Sequence, residues 1–336
     1  MHVLRVVRLL VSIALLSALA CTGQSQPVDA PLFPVSVNGK VGYMNRSGQA
    51  VIPAQFDLGL HFSEGMAVVW IGNRCGFIDR SGKVAIPARY SDARAFSEGL
   101  AQVMSSDAWG YIDQTGREVI PPRFAAALAF SEGVAVVMRD GKRNYIDKAG
   151  AKAIDADFTE AADFMDGRAR VRLSDDGKQG YIDRSGRFVV PPKFEEADDF
   201  SEDLAAVMIG KLWGFIDKSG NIAIAAKFGE ASKFSEGHAA VKLNGKWGYV
   251  DRSGRVKVAP QFHSGSFELP ALPFSDGLAG VVIAGKWAFI DKAGKIVIPP
   301  KYDQIAPFAH GLARVKVKAK WGYVDAVGRY VWVPSE

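Results

Sequence analysis

Residues 245–254 read GKWGYVDRSG, and the chain writes this phrase again with small changes. Residues 211–220 read KLWGFIDKSG, residues 286–294 KWAFIDKAG and residues 319–328 AKWGYVDAVG. Aligned on the glycine after tryptophan, the slots are Gly42, Gly76, Gly110, Asn144, Gly180, Gly214, Gly248, Ala288 and Gly322. Their spacings are 34, 34, 34, 36, 34, 34, 40 and 34 residues. A fixed period in this range marks stacked supersecondary units. The two longer intervals are insertions, one near SDDGKQ (174–179) and one near HSGSFELPAL (263–272). The second is expected to bulge from the surface and, with the other loops, to carry a binding surface.

Each unit has a physical reading. Gly248–Asp251 is an aromatic and β-branched stretch, here named strand A. Asp251–Gly254 is a turn in which aspartate bonds the amides ahead of it. RVKVAP (255–260) and EVIPP (118–122) read as strand B, whose prolines are expected to end the pairing. A crossover of about a dozen residues carries phenylalanine at two places, as at Phe124 and Phe130. Leu204–Met208 reads as strand C, and turns such as Asn244-Gly245 join C to the next A. The array starts in strand C, at FPVSVNGKVGY (33–43), and stops after strand B. The expected fold is all-β: three-stranded meanders of about 34 residues, in a propeller-like ring or an open β-superhelix. The expected organisation is a signal peptide at 1–20, a candidate lipidated Cys and tether at 21–32, and the array over 33–336. The array holds eight full periods with flanking half-repeats.

These residues carry a resemblance. The phrases [YF]-[IV]-D-x-x-G and F-S-E-G-x-A recur together at one spacing, and in this the chain resembles the WG-repeat (KWG-repeat) family of bacteria over residues 33–336. Val41, Cys75, Arg143 and Gln179 stand in tryptophan slots, and Phe164–Gly167 and Phe308–Gly311 depart from F-S-E-G. The resemblance implies a repeat scaffold for interactions and supplies no catalytic residues.

The N-terminus reads as an address. Arg5 and Arg8 precede an apolar run, Leu9 to Ala20, too short for a comfortable membrane span. Ala18-Leu19-Ala20 suits ordinary signal cleavage, but Cys21 follows directly, and LSALAC (16–21) resembles a lipoprotein lipobox. The favoured expectation is a lipoprotein acylated at Cys21, with each buried CH₂ contributing about 0.8 kcal/mol to anchoring. A secreted soluble protein and an uncleaved anchor are the alternatives. Residues 22–32 would be a tether reaching roughly 35–40 Å.

The composition is that of a globular chain: 336 residues, 48% hydrophobic, 23% charged, 35 glycines and a net charge of +5. Both signs are interspersed without a basic tail, so nucleic acid is not an expected partner. Two cysteines make no disulfide framework, and Cys75, in a tryptophan slot, reads as a buried inert thiol. The aspartate row (Asp79, Asp113, Asp147, Asp183, Asp217, Asp251, Asp291, Asp325) reads as turn caps. The glutamate row (Glu64, Glu98, Glu132, Glu202, Glu236) reads as turn residues, and the tryptophan row (Trp109, Trp213, Trp247, Trp287, Trp321) as packing. Zinc motifs, nucleophile elbows and phosphate loops are missing from the sequence, so neither an enzyme nor a cofactor is expected. The basic row Arg46, Arg80, Lys148, Arg184, Lys218, Arg252 and Lys292 reads first as solvated turn charge, each beside a turn residue that weakens its field, and as the alternative a candidate binding stripe for an acidic polymer. The expected function is a non-enzymatic scaffold for protein–protein interaction at the cell envelope. It would be held to a membrane by lipid and face the periplasm or exterior. A glycan- or peptidoglycan-binding module is the alternative.

Overall fold

A computed structural model describes residues 30–175, 177–263 and 271–335. The signal-peptide and Cys21 expectations, and most of the insertion after His263, lie outside the described residues. Nine small antiparallel sheets follow one another along the described chain, one per repeat, and form a nine-bladed propeller. Blade 7 shows the pattern: strand C is His238–Leu243, strand A Lys246–Asp251 and strand B Val256–Phe262. The C–A hairpin turns through Asn244 and Gly245, both at positive φ, as the Asn-Gly pair demands. The SDDGKQ insertion falls in the C–A turn of blade 5, between Arg172 and Gln179.

Strand B corrects one sequence expectation. Its proline does not end the pairing. Tyr249 pairs with Val258 and Trp247 with Phe262, so B spends four residues where A spends two. The extra residues form a bulge that contains Pro260, where no ladder N–H is required. Blade 6 has the same register shift with Ala225 and Ala226 instead of prolines. The glycine after tryptophan explains the bulge better. A Cβ on Gly248 would come within 2.5 Å of Val258 O and 2.7 Å of Pro260 N. The bulged backbone thus rests on bare strand A, and Gly42, Gly76, Gly110, Gly180, Gly214 and Gly322 sit in the same way. In blade 4, where Asn144 fills the slot, strand B is reduced to isolated bridges at Lys152 and Phe158.

The crossover is more ordered than a loop. Its first residues pair with strand C of the next blade, as Glu230–Ala231 do with Lys242 and Val241. Five sheets thereby gain a fourth strand, beyond the three expected. The crossover then reverses at Ser-Glu-Gly, with Glu64 at φ 50° and Gly65 at φ 83° in blade 2.

The core lies between blades. Phe215, Ile224 and Phe228 of blade 6 cluster with Phe234, Val241 and Val250 of blade 7. At each junction the strand A aromatic meets the crossover phenylalanine of the next blade. Tyr43–Phe62, Tyr111–Phe130 and Tyr249–Phe274 have centroids 4.8–5.0 Å apart. The ninth junction closes the ring. Tyr323 of blade 9 meets Phe33 of blade 1 at 5.6 Å, and its hydroxyl donates to Pro34 O at 2.9 Å. Gly48 of blade 1 lies against Val331 of blade 9, as Gly82 of blade 2 lies against Ile52 of blade 1. Of the two architectures left open by the sequence, the ring is the one formed.

Candidate interaction surface

The repeated polar residues are consumed in holding the ring together, which decides where a partner can be met. The aspartate row caps its own turns. Asp251 Oδ1 accepts from the amides of Ser253 (2.9 Å) and Arg255 (3.1 Å) and from the Ser253 hydroxyl (2.6 Å). The same contacts hold the carboxyl of Asp113 near a pKa of about 2, led by the Thr115 hydroxyl and helped by the Arg117 amide. Asp79, Asp183, Asp217 and Asp251 are lowered as well, chiefly by side-chain hydrogen bonds from Ser81, Ser185, Asn221 and Ser253. Each folded pKa lies below the unfolded value of 3.8, so this stabilisation is complete above that value and is lost as protons bind. The urea midpoint is therefore expected to hold steady from pH 7 to about 5, then fall between about pH 4 and 2. A midpoint unchanged down to pH 2 would contradict the capping role.

The glutamate row does more than turn. Each carboxylate reaches the following blade and accepts the N–H of its turn glycine. Glu98 bonds Gly133, Glu132 bonds Gly167 and Glu202 bonds Gly237, at 2.9–3.0 Å. The neighbouring serines donate to the next crossover phenylalanine, as Ser97 does to Phe130 O (2.8 Å) and Ser131 to Phe164 O (2.7 Å). The Ser-Glu-Gly turns are thus linked into a belt. The sequence carried a signal for it, since serine, glutamate and glycine recur together, but the partners lie a full repeat away. At the end of the chain, blade 9 has Ala309 and His310 in place of Ser and Glu. Among the described residues, blade 1 shows no such turn for them to bond.

The basic row runs along this belt. Lys148 lies 3.3 Å from Glu98, Arg184 3.6 Å from Glu132, Lys292 3.1 Å from Glu236 and Arg252 3.4 Å from Asp203. Lys218 meets Asp203 at 2.6 Å. Arg46 lies against Gly311 of blade 9, and the Arg80 guanidinium sits over the Phe62 ring at 5.6 Å. Lys148, Arg184, Lys218, Arg252 and Lys292 are therefore paired with carboxylates, which offset their field. Trp109, Trp247 and Trp287 are buried, and Trp213 and Trp321 half-buried. Cys75 is buried, and burial pushes its thiol up to about 11.

Two features stand outside the repeated scheme. Asp163 and Asp199 are raised by burial, and Asp199 Oδ1 lies 3.3 Å from Arg170 Nε. The second feature is apolar and exposed. At the B-strand position two residues before the buried Ile224, Val258 and Ile298 stand Ile222, Val256 and Ile296, exposed by 62, 48 and 46%. They occupy consecutive blades 6, 7 and 8, and the sequence pattern alone hid them among ordinary strand residues. Among the described residues, no group of three or more His, Cys, Asp or Glu side chains gathers as a metal site. No helix of the described residues is long and apolar enough to cross a membrane.

A family model described as WG containing repeat matches residues 42–75, 76–106, 109–142, 145–177, 180–213, 213–247, 247–287 and 287–321. Among solved structures, a eukaryotic initiation factor superposes with a TM-score of 0.63 at 10% identity, over 91% of this chain and 95% of that one. Dihydro-heme d1 dehydrogenase NirN in complex with DHE gives 0.48 at 14% identity, over 77% and 70%. At 10% identity the likeness to the initiation factor extends to the fold alone. No curated protein matches the sequence.

Proposed function

The chain belongs to the WG-containing-repeat family, and from that premise we propose that it is a non-enzymatic scaffold that binds another protein at the bacterial cell envelope. The observation that carries the reading is the row Ile222, Val256 and Ile296. Exposed apolar side chains aligned on neighbouring blades gain free energy when a partner's apolar surface removes them from water. The repeated polar residues are tied up within the ring, so the variable exposed positions are left to select the partner. The envelope location rests on residues 1–21 of the sequence, with acylated Cys21 as the membrane anchor.

Crosslinking in intact cells, followed by capture of the tagged full-length chain and mass spectrometry, tests this. One protein should be recovered in near-stoichiometric amount. It should be lost with the triple change Ile222→Asp, Val256→Asp and Ile296→Asp, and reduced with Cys21→Ala. Salt-sensitive sedimentation with isolated sacculi, with no protein enriched, would replace the scaffold reading by peptidoglycan binding.

A further inference from the structure

Neighbouring blades meet in creases beside strand B, and two of these creases can be compared residue by residue. Between blades 3 and 4 the crease is a cleft of about 110 Å³. Arg123 and Phe124 line it from blade 3, Arg139 and Lys152 from blade 4. Both guanidinium groups lie over the Phe124 ring, 5.2 and 5.8 Å from its centroid. Between blades 5 and 6 the corresponding cleft is about 420 Å³. Phe194 stands there as Phe124 does in the first crease. The strand register places Ile209 and Ile222 where blade 4 has Arg139 and Lys152.

This exchange turns a charged crease into an apolar one. Phe194 and Ile216 are buried in it, while Ile209 and Ile222 are exposed. Two lysines also line it, with different partners. Lys178 pairs with Glu195 at 3.0 Å, which offsets its charge. Lys193 holds its ammonium 5.2 Å from the Phe194 centroid and donates to Gly220 O at 3.4 Å. Among the described residues, no carboxylate pairs with it. The crease between blades 8 and 9 shows what this arrangement accepts. There Tyr330, the register equivalent of Ile222, brings its ring to 5.4 Å from the ammonium of Lys301, the equivalent of Lys193.

We propose that the cleft between blades 5 and 6 is an anchor pocket, which takes an aromatic side chain of the partner protein that stands beside a carboxylate. The ring packs against Ile209 and Ile222, as Tyr330 packs in its own crease, and gains free energy by leaving water. The carboxylate meets Lys193, whose charge is not offset as that of Lys178 is. The volume falls in the range of about 300–1,000 Å³ over which pockets enclose ligand-sized groups. A buried aromatic anchor of this kind carries a large share of an interface's binding energy. The crease between blades 3 and 4 refuses the same group, because Arg123 and Arg139 already cover Phe124. The inference rests on the protein-scaffold reading and deepens it, since Ile222 belongs both to the cleft and to the exposed row.

The probe is N-acetyltryptophan, an aromatic ring beside a carboxylate, titrated into the full-length chain and followed by isoleucine methyl shifts. Saturable binding in the roughly millimolar range or tighter is expected, with the shifts centred on Ile209, Ile216 and Ile222. N-acetyltryptophanamide, which lacks the charge, should bind about threefold more weakly, the usual size of an exposed ion pair. Lys193→Gln, which copies Gln55 and Gln261 of blades 1 and 7, should erase that difference. Ile209→Arg, which copies blade 4, should weaken the acid about tenfold or more by covering Phe194. If Ile209→Arg alters the melting curve, the acid and the amide on the unaltered chain carry the comparison. No saturation at tens of millimolar, or equal binding of acid and amide, overturns the anchor pocket. In the crosslinking experiment Ile209→Arg should lose the captured partner. A partner that survives Ile209→Arg but is lost with the triple change at Ile222, Val256 and Ile296 would overturn the pocket and leave the scaffold reading standing.

Discussion

Replacing Gly248 by valine is expected to cost about 3 kcal/mol or more and to lower the denaturant midpoint accordingly. The bulge of strand B lies on this residue, and even a methyl group would overlap the Val258 carbonyl and the Pro260 nitrogen. Those are backbone atoms that no rotamer change can move aside. The molecule contains its own comparisons. Ala288 occupies the slot in blade 8 with the register of strand B intact, so a single methyl is accommodated by a local shift. Gly248→Ala should therefore cost less, on the order of 1–2 kcal/mol. Asn144 occupies it in blade 4, and there strand B gives way to isolated bridges. Gly245→Ala is the control. Its Cβ would meet open space, but φ is 76°, so the penalty is the left-handed backbone alone, about 1 kcal/mol. If Gly248→Val and Gly245→Ala lower the midpoint equally, close backbone approach is not why the glycine is there.

Phe33→Ala is expected to destabilise the ring by about 3–4 kcal/mol, the usual cost of emptying a buried phenylalanine site. Phe33 is 3% exposed and packs with Val35, Met44, Leu312 and Tyr323, so it joins the first blade to the last. Its loss also frees the two ends of an otherwise linear stack, in which each blade touches only its neighbours. Proteolysis under native conditions should then cut first within blades 1 and 9. An equally buried phenylalanine away from the seam, Phe130, provides the comparison. Phe130→Ala should cost a similar amount without directing cleavage to the seam. A Phe33→Ala midpoint within 1 kcal/mol of the unchanged chain would mean that closure contributes little.

Much of the molecule was legible because its signals are local. The period follows from counting the glycine slots. The C–A hairpins follow from Asn-Gly and its variants, and the aspartate caps from an acceptor two to four residues before the amides it serves. Cys75 in a tryptophan slot read as buried, and it is. Strand B misled because proline normally stops a ladder, whereas here a bulge gives it a place without a donor. The glutamates read as turn residues, which they are, but their carboxylates serve a glycine in the next blade. The pairing of the basic row was not legible, because the carboxylates that meet Lys148, Arg184, Arg252 and Lys292 lie roughly fifty residues back in the sequence.

Sequence alone determined the strands, the turns, the repeat and the family, since each follows from hydrogen-bond and burial needs met within about one unit. Only the tertiary structure decided that nine blades close into a ring and that the turns form a belt. Closure is a sum of small rotations between neighbouring sheets, set by how Tyr43 meets Phe62 and Tyr249 meets Phe274 across each junction. No single repeat encodes that sum. It emerges only when the ninth blade reaches the first, and Phe33 takes the place that a crossover phenylalanine holds everywhere else.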